Sequence, residues 1–280
     1  PEFKHHPLAI AFTVDEEIGM LGATAFDTSR LKGKTMLNLD TEVMQYQYLI
    51  AGLEDITLTS GTTLTEEQLL QQFQDQLSKH DWQLLSTLFV TTDDDRIVKM
   101  AEDYRLRAEE ADEAILLSEE DLRTQMLYEW GMKAKNQLLR QWFEFNLNIN
   151  NVLAATICRK HGFDIAKAII GNSETAEAIR KNRNQKDFGL AGTLPEINDI
   201  LHLADIENLL DREKMQDALR WRWLEEHTLF FNFEIENVIA YYLQSKILHR
   251  WDNLTMEEGQ RVFRSLVADM KKGITFEDEK

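Results

Sequence analysis

The 280-residue chain is poor in residues that interrupt helices or staple small folds, with three prolines and a single cysteine, Cys158. One cysteine excludes an internal disulfide framework and any all-cysteine metal site within one chain, and it suits a reducing cytosol. Basic residues are also short: 31 Lys and Arg stand against 49 Asp and Glu, a formal charge of −18. Nucleic acid and anionic lipid are bound by neutralising phosphates, so this balance opposes broad binding of either. Divided at Met44, the chain is acidic on both sides, with a net of −3 over residues 1–43 and −15 over residues 44–280. The average therefore leads us to expect no basic tail or patch. No apolar run approaches the roughly 20 residues of a membrane span, and the start, Pro-Glu-Phe-Lys-His-His, has no signal-peptide hydrophobic stretch. A cytoplasmic protein without direct membrane insertion is expected.

What is abundant is Leu, Glu, Gln and Ala at helical spacing, and the expected fold class is mainly α. Residues 44–280 read as a multi-helix bundle with a short β-like opening at Tyr46 to Gly52, and a small α/β fragment, residues 1–43, precedes it. Thr65 with Gln68 forms a capping box ahead of Leu69, Leu70, Phe73 and Leu77. Ser118 caps a helix carrying Leu122, Met126, Leu127 and Trp130, and His161-Gly162 is a helix stop. A long tract from Leu209 to Trp251 and a closing helix from Thr255 or Met256 to Lys272 complete the body. Before Met44, the run Pro7 to Val14 is of buried-strand type, Gly19 to Phe26 suits a helix and Thr35 to Leu39 a second strand. Two strands and a helix cannot bury a core alone. With Pro rather than Met at its start, this piece reads as a fragment, a fusion product or a shifted reading frame.

Within it, Thr13-Val-Asp-Glu-Glu-Ile-Gly-Met20 and Leu31-Lys-Gly-Lys-Thr-Met-Leu-Asn-Leu-Asp-Thr-Glu42 resemble the aminoacyl-histidine dipeptidase group of zinc metallopeptidases. Paired carboxylates after a buried strand suit such chemistry, because one ligates the metal while its neighbour takes a proton from the bound water. The resemblance implies Glu16 as general base and Glu17 and Asp40 as zinc ligands. It covers only about 40 residues, and the family's upstream His-x-Asp segment, bridging Asp and late His ligand have no counterpart in the sequence. An incomplete ligand shell makes these residues vestigial. The adjacent His5 and His6 read as an exposed polar end.

The helical body shows no catalytic constellation. Gly189 and Gly192 lack the spacing of a phosphate loop, His161, His202, His227 and His249 are scattered, Cys158 lies in an apolar helix, and Asp93-Asp94-Asp95 reads as a solvated turn. No cofactor is expected. Trp221 and Trp223 lie about 200° apart on a helix and cannot share one face. Either one is exposed beside Arg220 and Arg222 as a partner hot spot, or the two bridge separate helices of one bundle. The loop from Arg180 to Asp187 is a second charged candidate. Contact residues are accordingly expected at Arg220, Trp221 and Arg222, with Asp187 and Phe188 second.

Five segments carry a second resemblance: Tyr46-Gln-Tyr-Leu-Ile-Ala-Gly-Leu53, Cys158-Arg-Lys-His-Gly162, Ala166-Lys-Ala-Ile-Ile-Gly171, Asp187-Phe-Gly-Leu-Ala-Gly192 and Leu219-Arg-Trp-Arg-Trp-Leu-Glu-Glu226. Through them the body resembles an uncharacterised bacterial family encoded beside V-type (A/V-type) ATP synthase subunits. More distantly, it is similar to the C (or d) subunit of rotary ATPases, a helical funnel that seats the rotor shaft on the membrane ring. The resemblance implies a non-catalytic subunit or assembly factor of a V-type ATPase, a central-stalk socket supporting ion transport. Its implied partners are rotary ATPase subunits of the central stalk and membrane ring, met peripherally on the inner face of the membrane. A metal-dependent dipeptidase and a generic helical adaptor are the alternatives.

Overall fold

The computed structural model describes residues 46–253 apart from 59–61, 113, 114, 116 and 232. These all lie in the second of two units into which the chain divides, Tyr46–Lys280. The fragment before Met44, with Glu16, Glu17 and Asp40, and the expected closing helix lie outside the described residues.

The described residues form α-helices and no strand: α1 Gln47–Ala51, α2 Glu66–Gln76, α3 Lys79–Leu85, α4 Asp95–Glu110, α5 Glu119–Gly131, α6 Gln137–His161, α7 Ile165–Ala168, α8 Glu174–Lys181, α9 Ile197–Asp205, α10 Leu209–Thr228 and α11 Ile235–Asn253. The mainly α class holds. The β-like opening does not, because Tyr46 to Gly52 contains α1. Tyr46 and Leu49, three residues apart, are the buried pair, and Tyr48 is 91% exposed, so the burial period is helical rather than two. Tyr46 is also held at both ends. Its N–H donates to the Phe233 carbonyl at 3.1 Å, and its hydroxyl donates to the buried Asp81 carboxylate.

The caps are where the sequence places them. Thr65 and Gln68 exchange both bonds of a capping box, Ser118 accepts from the Asp121 N–H, and Gly162 ends α6 at φ 72°, a left-handed conformation that glycine adopts without strain. Helix α6 is the centre of the bundle. Its 25 residues span about 37 Å, and it is apolar on several faces because α5, α7, α8 and α9 all pack against it. Leu139, Ile149 and Val152 are fully buried there, each burial contributing roughly 1.5–3 kcal/mol. Asn151 satisfies itself by clamping the strand-like connection after α7, donating to and accepting from the Ile170 backbone at 2.9 Å each. A smaller core between α4 and α5 is built from Ile97, Ala101, Leu122 and Met126. At the end of α5 a side chain on Gly131 would collide with the Phe143 ring, so this glycine lets α5 approach α6 closely.

The single tract expected from Leu209 to Trp251 is two helices. A continuous helix of that length would run about 65 Å and expose much of its apolar surface. Instead the chain reverses at residues 229–234, through Phe233 at φ 59°, and α11 packs back on α10. Pro195 lies two residues before α9, which begins at Ile197.

Candidate interaction surface

Among the described residues, no three His, Cys, Asp or Glu side chains are grouped so as to hold a metal ion. Asp94 caps α4 and pairs with Arg96 at 2.8 Å, which drops its carboxyl to about 2. Burial pushes the Cys158 thiol up, with Asp164 adding to the shift, so the sulfur is held protonated rather than as a nucleophilic thiolate.

The expected hot spot on α10 is mostly interior. Trp223 packs with Trp142 and Phe145, and its ring stacks on His227 at 3.8 Å. Trp221, 5% exposed, faces Ile247 and Leu248 instead, and its indole N–H donates to Glu225 at 2.8 Å. The two tryptophans thus serve different neighbours, and Trp221, expected as a partner contact, packs inside the bundle. Arg220 also turns inward, bonding Asp217 at 3.0 Å and Asn146 at 2.8 Å. The Asp217 carboxylate is 1% exposed and accepts in addition from Arg250 and from the Trp251 indole. A carboxylate buried with two guanidiniums and an indole N–H fixes α10 against α11. Of the three residues only Arg222 is exposed, and it is engaged by Asp199 and, at 3.9 Å, by Glu226.

A different surface assembles at the ends of α6 and α8. Residues 159–186 hold seven Lys and Arg against three Asp and Glu, a net of +4 in a chain of −18. This overturns the expectation of no basic patch. Arg159, Lys160 and His161 close α6, and Arg180 and Lys181 close α8, where cations offset the negative helix end. The contacts join the two ends. Arg159 donates to the Gln185 and Lys186 carbonyls at 2.6 and 3.0 Å and lies 4.5 Å over the Phe188 ring. Arg180 donates to the Ile169 and Gly171 carbonyls at 3.1 and 2.8 Å. Both arginines are therefore clamps.

The cations left facing outward are Lys160, Lys167, Lys181, Arg183 and Lys186, all exposed and none ion-paired with a described carboxylate. Phe163, 67% exposed, stands beside them with its ring stacked on His161. The loop itself is shaped by short bonds. Asn182 donates to the Phe188 carbonyl at 3.1 Å, and Asp187 accepts from the Gly189 N–H at 3.1 Å. Phe188, expected as a contact, adopts φ 54° and is fully buried, so it anchors the loop from within. Asp187 is half-buried at the edge of the surface. The five cations were legible only as a local run of charge, which averaging over residues 44–280 conceals.

Chemically, this arrangement offers ammonium and guanidinium donors and an exposed ring on a rigid, clamped loop. It suits recognition of an anionic surface. No curated protein and no solved structure matches the chain. Residues 98–274, more than half of the chain and including the whole basic surface, match a family described as protein of unknown function, and the chain belongs to that family, DUF2764.

Proposed function

We propose that the protein is a non-catalytic docking subunit or assembly factor of a V-type ATPase, working on the cytoplasmic face beside the central stalk and membrane ring. The observation that supports this reading is the segregation of charge. A small basic face formed by Lys160, Lys167, Lys181, Arg183 and Lys186 stands on a strongly acidic helical frame. Such a molecule engages an acidic partner through the basic face and steers toward a basic shaft or basic ring loops with the remainder. A socket for a rotor shaft needs a stiff frame, and the α6-centred core and the buried Asp217 network supply one.

Affinity purification of the full chain from its native cell tests the reading. Rotary ATPase subunits are expected in the eluate, with recovery falling as ionic strength rises. Recovery of other proteins alone would replace it with a generic helical adaptor. Chelator-sensitive dipeptide hydrolysis by the pure chain, lost in Glu16→Gln, would replace it with a peptidase.

A further inference from the structure

The reversal between α10 and α11 displays apolar side chains that the bundle does not use. Leu229 is 72% exposed and Phe230 88% exposed at the end of α10, and the bond from the Tyr46 N–H to the Phe233 carbonyl brings α1, with the exposed Tyr48, to the same end of the bundle. Adjacent large apolar residues at this exposure contrast with the rest of the hairpin, where Leu224, Val238 and Ile239 are fully buried. Phe233 holds a left-handed backbone at φ 59°, which a bulky side chain adopts only when the surroundings impose it.

The charged residues nearest the apolar pair in the sequence are acidic. Residues 225–236 contain four glutamates and no Lys or Arg. Glu225, Glu226 and Glu234 are exposed, while Glu236 is engaged by Asn136 at 2.7 Å, on the side where Lys133 and Lys135 lie. Glu225 and Glu226 meet Trp221 and Arg222 within their own helix and remain exposed.

We infer that this tip is a docking point for a protein partner presenting an apolar pocket rimmed by Lys and Arg, with Phe230 as the inserted anchor. An aromatic side chain filling a pocket inside a charged rim is the usual arrangement of a hot spot. Anionic lipid would meet the glutamates with like charge, and two copies of the tip face to face would repel in the same way. The inference rests on this surface alone and stands whether or not the partner belongs to a rotary ATPase.

The test places a photocrosslinking phenylalanine derivative at position 230 of the full chain in its native cell, with a second chain carrying it at Glu177 as control. Circular dichroism confirms the fold, which an 88% exposed position leaves undisturbed. Mass spectrometry of the adduct is expected to find one protein, joined at an apolar segment flanked by Lys or Arg. The yield is expected to fall several-fold at about 0.5 M salt and in Glu225→Lys with Glu226→Lys and Glu234→Lys. Adducts to a second copy of this chain, to lipid, to a partner segment without basic residues, or to the same range of proteins as the Glu177 control would each overturn the proposal. So would the absence of any adduct.

Discussion

The loop after α8 and the reversal after α10 solve the same backbone problem in opposite ways. Each turns the chain through a phenylalanine with left-handed backbone, Phe188 at φ 54° and Phe233 at φ 59°. In the first, the aromatic ring is fully buried under Arg159 and the cations point outward. In the second, Leu229 and Phe230 point outward among glutamates. A strained turn in this protein therefore carries no fixed chemistry; what it presents is decided by which side of the turn the core claims.

The sharpest way to break that contrast is to truncate one ring at each turn. Phe188→Ala removes a fully buried side chain and is expected to cost about 3–4 kcal/mol, whereas Phe230→Ala should stay within about 0.5 kcal/mol. Urea unfolding of the two variants measures both, and equal losses would remove the distinction. Next in size is Arg159→Ala, which frees the Gln185 and Lys186 carbonyls and is expected to cost about 1–2 kcal/mol. Hydrogen exchange should quicken at residues 185–189 and stay unchanged at 229–234.

Acid should separate the turns in the other direction. Burial opposes ionisation of Asp81, but hydrogen bonds from Tyr46, Ser78 and His80 outweigh it and hold the carboxyl below its ordinary 3.8. A carboxyl lowered by folding contributes stability that is full above its unfolded value and is lost as pH falls through its folded value. Tyr46 ties Asp81 to the α10–α11 turn, so exchange at 229–234 should quicken below about pH 4, ahead of the Arg159-clamped loop. Carboxyl-carbon NMR of Tyr46→Phe should show the Asp81 titration moved upward; an unchanged titration would uncouple it from the turn. A modest stability effect is expected from Lys181→Glu with Lys186→Glu, about 1 kcal/mol, because neither lysine is ion-paired with a described carboxylate and the cost comes from reversing the charge of Lys181 at the end of α8.

Local signals carried much of the fold. The Thr65–Gln68 box, the Ser118 cap and the Gly162 stop are each set by a few adjacent residues, and each stands where the sequence reads it. The misses are tertiary. Nothing in Leu229 to Glu234 is Gly or Pro, and the reversal shows only in the packing it allows, with Ile247 and Leu248 brought against Trp221. Tyr46 to Gly52 is a short apolar run that suits a strand, but its burial follows Tyr46 and Leu49. The candidate surface was half legible: Asp187 marks its edge, while Arg159 and Arg180 spend their charge on backbone carbonyls and the exposed lysines emerge only when α6 and α8 end side by side.

The central claim, a docking protein that works through its basic face, is tested most directly by paired affinity purification from the native cell. The parent chain and Lys181→Glu with Lys186→Glu would be compared at matched expression and matched Tm. Rotary ATPase subunits are expected with the parent and are expected to be lost with the variant. Equal recovery by both chains, or recovery by neither, would contradict it.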